Sequence, residues 1–540
     1  MARQNTSPVA FQRQPRVDTA VTRTSARAGD VRPIAYMPIL REDSASGKVG
    51  IDLELAEMPR PLINGVHANI QAWFVPKSAM PQFSGYDEFM HSYQGQDIKA
   101  LGSTDRTPPP FFTMLTAGDR SLIAASEFFK TLGIHVPTSA NVSTDLVDAF
   151  NLVYNFRLAA HSSRLTRKDY CAENLSNALA LPPAFWPSGR FSRVVPDYER
   201  ALILGSLDLD VAAGQMPVAG ITRQGVMNST SSACWLDNEP TYQLIHQGTN
   251  GIKFDLPHGA ATQIYADMAE QTIGTSLADI DYARKTQAFA KLRSSMAGND
   301  ATGFDNDDAI IAELMQGFSV PEDQFKRPWL LDSVRTSFGF VERHATDAAN
   351  LDASVTKGVL SAQLSINLPR QNTGGVIIVT CEVLPDRIDE RQTDEWLHIS
   401  TVSELPDALR DVQRPEPVDM VLKRRLDAAH TAPDELYGYE PMNDVWNREF
   451  TRLGGEYYQA NPLAPWTEQR SAIWQANIVN PTFSSDHWLC PSPFPHDVFS
   501  DTLADAYDVT VRHSISVSGL TQIGDVLAEN NDDYVAITAE

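Results

Sequence analysis

The sequence predicts a mainly β fold, a jelly roll or similar antiparallel sandwich carrying long insertions. Three observations predict it. Apolar and polar residues alternate near 34–75, 359–383 and 507–518, the period of strands with one buried face. Hundreds of residues separate these groups, and because no single hairpin is stable alone, the distant strands are expected to share one core. Between them the pattern turns helical or irregular without a βαβ alternation, so the connections hang from that core as insertions.

Residues 1–33 stand apart by charge. They hold Arg3, Arg13, Arg16, Arg23, Arg27 and Arg32 against Asp18 and Asp30, a local net of +4 in a chain of −24. With no apolar periodicity, the segment is expected to be an extended or partly ordered arm. It is either a frayed terminus or an arm that lines an interface or touches phosphates. Strands follow. Ile34–Ile39 is short and apolar, Val49, Ile51, Leu53 and Leu55 alternate with polar residues, and Val66, Ala68, Ile70, Ala72 and Phe74 do the same. Met58–Gly65, rich in proline, turns the chain between two of them.

From 83 to 200 the period becomes helical, with helices expected at Ser121–Leu132 and Leu146–Leu158 between proline-rich loops. Residues 205–262 are glycine-rich and irregular, with Ile252–Leu256 as a β candidate. A helix is expected from Ser276, whose spacing to Asp279 resembles a capping box, to about Met296. Strands return at Leu360–Leu368, at the doubly buried run Val376–Val383 after Gly374-Gly375, and at Tyr507–Ser518. The domain expectation is an arm at 1–33 and one domain at 34–540, with insertions at about 83–350 and 385–505.

Composition narrows the function classes. The chain has 540 residues, 42% hydrophobic and 9% aromatic, enough to bury a large core. A net charge of −24 repels polyanions on average, so any nucleic-acid contact has to come from a local basic segment or a basic partner. Cys171, Cys234, Cys381 and Cys490 lie far apart with no CxxC pair, which fits unpaired, buried thiols in a reducing compartment. The first residues lack an apolar signal region, and no apolar run approaches a membrane span. The expectation is a soluble chain made in the cytoplasm, without membrane insertion.

Catalytic signatures are missing. Gly47-Lys48 lacks the upstream glycine of a phosphate-binding loop, and neither HExxH nor GxSxG occurs. Asp305–Asp308 lacks the glycine and glutamate of a calcium loop. No catalytic residue, metal site or cofactor is assigned. The triplet Lys423-Arg424-Arg425 reads as a solvated or salt-bridged face rather than a nucleic-acid site. Residues 437–499 are dense in aromatics and prolines. They are either core buried under loops or a subunit interface, where Trp and Tyr are enriched; base stacking is less suited, because basic residues are not interleaved. Trp446, Tyr457, Tyr458, Trp466, Trp474 and Trp488 are the interface candidates.

Several of these segments resemble one family in order. Arg32–Arg41, the strand at 49–55, Ile70-Gln-Ala-Trp-Phe-Val-Pro-Lys77 and Phe83-Ser-Gly-Tyr-Asp-Glu-Phe-Met90 look like the N-terminal part of the major capsid proteins of the Microviridae, the small tailless single-stranded-DNA phages. Phe150-Asn-Leu-Val-Tyr-Asn-Phe-Arg157 is similar to the family's Tyr-Asn and Arg helix. Ile280–Leu292, Gly375–Asp386, Leu436-Tyr-Gly-Tyr439 and His487-Trp-Leu489 continue the match. The sequence departs from the family at Trp446–Phe450, usually more basic there, and in its C-terminal strand and acidic tail.

The resemblance implies an eight-stranded antiparallel viral jelly roll with long helical and loop insertions. It implies sixty copies in an icosahedral virion capsid around circular single-stranded DNA, synthesised in a bacterial host cytoplasm. Implied partners are a small basic packaging protein, minor or pilot virion proteins and a host-cell surface receptor. In that setting Arg3, Arg13, Arg16, Arg23 and Arg27 are expected to line the interior and bind DNA phosphates, and deletion of residues 2–27 is expected to reduce DNA retention while leaving the fold intact. The alternative from a different class is an oligomeric β-sandwich that binds glycans.

Overall fold

The computed structural model describes residues 11–98, 106–136, 141–162, 165–196, 316–320, 324–344, 354–409, 418–447, 451–460 and 467–521, apart from a few isolated positions, together with short strand backbones between 215 and 267. The chain divides into two compact units, one of residues 1–198 with 293–540 and one of residues 199–292.

The larger unit is mainly β. In chain order it contains β1 (Gln14–Ala26), β2 (Arg32–Ile39), β3 (Ser44–Leu55), β4 (Val66–Pro76), α1 (Tyr86–Gln94), α2 (Arg120–Ala125), α3 (Glu127–Leu132), α4 (Asp145–His161) and α5 (Leu175–Leu179). It continues with β5 (Trp329–Ser337), β6 (Gly339–His344), β7 (Ser354–Leu368), β8 (Gly375–Pro385), β9 (Val418–Leu422), β10 (Leu436–Pro441) and β11 (Tyr507–Gly519). One sheet runs β1-β11-β3-β7-β6 and another runs β5-β4-β8-β2, every neighbouring pair antiparallel. Strands separated by hundreds of residues are therefore direct neighbours.

Period-two burial builds the core. Val49, Ile51, Leu53 and Leu55 of β3, Val509, Val511, Ile515 and Val517 of β11, and Leu364 and Ile366 of β7 are buried. They join Val66, Ala68, Ile70 and Phe74 of β4 and Ile377, Val379, Cys381 and Val383 of β8 in one hydrophobic cluster. The two sheets share this core as the halves of a β-sandwich do. Strand β8 is buried along both faces because α4 packs against β8 and β4, with Trp73 meeting Phe156 edge-on at 5.9 Å. Ahead of β8 the backbone turns through Gly374 and Gly375, both at positive φ. A Cβ on Gly375 would lie 2.1 Å from the Val75 carbonyl, so only glycine fits this approach of β8 to β4.

Helix α4 explains the pattern Asn-Leu-Val-Tyr-Asn-Phe-Arg. Asn151 and Asn155 sit one turn apart and face the 168–178 loop. Asn151 donates to the Asp169 and Ala178 carbonyls at 3.1 and 3.0 Å. Asn155 donates to the Lys168 carbonyl at 2.9 Å and accepts from the Lys168 amide at 2.7 Å. Arg157 pairs with the buried Glu382 of β8 and covers the Phe185 ring at 4.3 Å.

Three expectations change. Residues 14–26 are not an arm; they form β1, paired with β11 from Gln14↔Gly519 to Ala26↔Tyr507. The inner face of β1 carries Arg16, Asp18, Ala20, Thr22 and Thr24, so an apolar count misses its alternation. Next, the first long connection ends before Trp329 rather than at about 350, because β5 and β6 belong to the two sheets. Finally, the helix expected at 121–132 is two helices. Ser126 is extended (ψ 131°) and its Oγ accepts from the Phe128 amide at 3.1 Å, ending one helix and capping the next.

The smaller unit contains a four-stranded antiparallel sheet, Ser231–Cys234, Gln243–Gly248, Gly251–Asp255 and Ala261–Gln263, and a pair formed by Gln215–Pro217 and Tyr265–Asp267. The expected helix at 276–296 and the acidic run 305–308 lie outside the described residues. Cys171, Cys381 and Cys490 are buried free thiols. Among the described residues, no helix is long and apolar enough to cross a membrane.

Candidate functional site

Two sets of residues were expected to carry function, the N-terminal arginines and the aromatics of the 385–505 connection. Strand β1 forms because β-branched Val17, Thr19, Val21, Thr22 and Thr24 suit a pleated edge. Its arginines are then distributed by the pleat. Arg16 turns inward and its guanidinium bonds Asp43 at 2.6 Å. Asp43 is fully buried and also accepts from the Leu40 amide at 2.9 Å. Arg27 donates to the Leu503 and Thr502 carbonyls at 3.1 and 3.3 Å and lies 3.1 Å from His496 Nδ1. Arg13 donates to the Ser518 carbonyl at 2.6 Å, the Ser44 hydroxyl at 3.1 Å and the Glu42 carbonyl. Arg23 is the outward one, loosely paired with Asp508 at 3.5 Å and 74% exposed. Arg3 lies outside the described residues.

This corrects the expectation of an arginine-rich arm offering its guanidiniums to phosphates. Arg16 and Arg27 hold β1 to the loops around it, and Arg23 is a lone exposed pair. Among the described residues Arg13 bonds neutral oxygens only, with no carboxylate against its charge. Deleting residues 2–27 removes an entire strand rather than a tail. The triplet Lys423-Arg424-Arg425 is likewise engaged: Lys423 with Glu435 at 2.5 Å, Arg424 with Asp434 at 3.0 Å, and buried Arg425 with Glu440 at 2.5 Å. It is a salt-bridged face.

The aromatics divide into two populations. Trp474 and Trp488, expected at an interface, are core residues instead. Trp474 is 1% exposed, packs against Phe494 at 5.8 Å and Phe499 at 5.0 Å, and donates through Nε1 to the Pro495 carbonyl at 2.9 Å. Asn64, between β3 and β4, bonds the Trp474 backbone in both directions at 2.6 and 2.9 Å. Trp488 packs on Phe483 at 5.0 Å and His487 at 4.9 Å. A side chain so buried has no surface to offer a second subunit. His487 Nδ1 lies 2.9 Å from the Tyr437 hydroxyl. Burial, with the Arg387 charge adding to it, pushes the His487 imidazole down to about 4.

Trp446 and Tyr458 are exposed, Tyr457 is half-buried, and Trp466 lies outside the described residues. Trp446 meets Trp396 edge-on at 6.3 Å. Trp396 is 62% exposed, and its segment also exposes Leu397, Val402 and Leu409. The sequence reading missed this second partner. Its signal is a tryptophan and isolated aliphatics in a polar, turn-rich stretch without any core-facing period. Arg452 and Asp394 pair at 2.9 Å nearby. No protein-family model matches this chain, and no curated protein is similar to it at a significant level.

Proposed function

We propose that the chain is the structural subunit of an icosahedral shell around single-stranded DNA, similar to the major capsid proteins of the Microviridae, and that its larger unit is a jelly roll. The observation that carries this reading is the strand order. With β6, β9 and β10 set aside, eight strands remain, numbered one to eight along the chain. The sheets then read one-eight-three-six and five-four-seven-two, the interleaved order that two Greek keys generate in a double-sheet jelly roll. Long connections leave this framework between β4 and β5 and between β8 and β11, as a shell subunit with elaborated loops requires.

The exposed Trp396–Trp446 pair supports contact with a second copy, because a solvated pair of this size is stabilised when another surface covers it. Charge supports a basic partner. Sixty copies at −24 each carry a formal −1440, and a nucleic acid inside adds to it, so packaging takes cations from a separate small basic protein. Electron microscopy of the purified chain, co-expressed with its neighbouring genes, tests the reading. Closed icosahedral particles with the ultraviolet spectrum of nucleic acid are expected. Persistent small oligomers free of nucleic acid would overturn it.

A further inference from the structure

The larger unit holds a groove of about 1280 Å³ where β2 ends, β8 begins, and the strands nearest both chain ends emerge. Its rings come from separate segments. Tyr36 lies on β2, Tyr93 on α1, Phe111 and Phe112 in the loop after α1, and Phe11 ahead of β1. Tyr93 meets Phe111 at 5.5 Å and Phe111 meets Phe112 at 4.9 Å, a continuous strip. Phe11, Tyr36, Tyr93 and Phe112 are exposed although large and aromatic. Arg41 covers the Tyr93 ring at 4.6 Å and Lys77 covers Phe112 at 4.6 Å.

The charges sort by pairs. Glu42 pairs with Arg370, Asp43 with Arg16 at 2.6 Å, and Asp145 with Lys77 at 2.6 Å. Each lining carboxylate thus has its own cation. Arg13 and Arg41 are left without a carboxylate among the described residues, Arg13 on neutral oxygens and Arg41 over a ring. A ligand suited to this groove brings flat rings for the strip and at least two negative charges for the guanidiniums. An uncharged polysaccharide lacks the charges. A duplex lacks free ring faces, because its bases stack on each other.

We propose that this groove binds single-stranded nucleic acid, with bases stacked on Tyr93 and Phe112 and phosphates held by Arg13 and Arg41. The identity of the strand as DNA rests on the shell reading. The groove, rather than an arginine arm, is then the chain's own contact with it.

The test uses the full chain and a fluorescein-labelled twelve-nucleotide deoxythymidine strand, read by anisotropy across a salt series. The wild-type protein is expected to bind with a salt slope of about −1.4, two phosphates at about −0.7 each. Tyr93→Ala and Phe112→Ala, at exposed positions, are expected to weaken binding about tenfold. Arg41→Ala is expected to flatten the slope by about 0.7, while Arg23→Ala, away from the groove, leaves binding unchanged. A duplex of the same length is expected to bind more weakly. Failure of the wild type to bind the strand at 50 mM salt, or binding as tight as the wild type's by both Tyr93→Ala and Arg41→Ala, would overturn the proposal. Microscopy separates it from the shell reading. Nucleic-acid-filled particles with no effect of the groove variants remove only the groove, whereas groove-dependent binding without particles removes only the shell.

Discussion

Trp474 and Trp396 lie in the same long connection between β8 and β11, yet one is sealed in the core and the other stands in solvent. The difference lies in what surrounds them. Trp474 has Phe494, Phe499 and His496 around its ring and Asn64 on its backbone, so it fastens the connection to the sandwich. Among the described residues, the Trp396 ring has Trp446 alone beside it. Aromatic density therefore reports that a connection packs, and position within the fold decides whether a given ring is sealed inside or left in solvent. The arginines of β1 repeat the contrast: Arg16 closes on a buried carboxylate while Arg23, seven residues on, faces water.

The sharpest way to break this comparison is truncation of both tryptophans. Trp474→Ala is expected to cost about 3–5 kcal/mol of stability, the range for a large buried ring. Trp396→Ala should stay within about 0.5 kcal/mol and, on the shell proposal, lower particle yield instead. Chemical denaturation of both variants, with particle counts, checks the pair; equal destabilisation would erase the distinction.

Acid offers the next lever. The His487 imidazole is held near 4 inside the buried half, while in the unfolded chain it returns to about 6.5. Between these values the unfolded chain binds a proton that the folded chain refuses. Stability is therefore complete above about pH 6.5 and falls as pH drops toward 4, by on the order of 3 kcal/mol for this group. His487→Gln should remove that share, seen as a shallower loss of denaturation midpoint between pH 6.5 and 4. An unchanged pH profile would mean that the buried half opens readily to water.

The smallest expected effects sharpen the arginine contrast. Arg16→Ala leaves Asp43 buried without its cation and is expected to cost about 2 kcal/mol. Arg23→Ala, which breaks an exposed pair, should cost less than about 0.5 kcal/mol. Urea melts of the two variants measure the difference directly.

Much of the sandwich was legible because burial on one face writes itself as a period of two. Val49–Leu55 and Tyr507–Val517 needed no partner to be recognised as strands, and distance along the chain already required them to share a core. Strand β1 was hidden for the same reason. It lies at the sheet edge, where its inner face is only half-buried, so Arg16 on buried Asp43 and Asp18 beside His513 stand in place of apolar residues. Break points such as Ser126 were also hidden, since a cap depends on local hydrogen bonding that an apolar count does not see.

By itself, the sequence determined the β class, the sharing of one core by distant strands, the charge balance and the free state of Cys171, Cys381 and Cys490, because these follow from composition and periodicity. Tertiary structure alone decided which arginines are spoken for, which tryptophans face outward, and that rings from four segments line one groove with two uncompensated cations. Such choices depend on neighbours brought together from up to 505 residues away, as between Arg13 and Ser518, and no local pattern encodes which side of a fold a given side chain will meet.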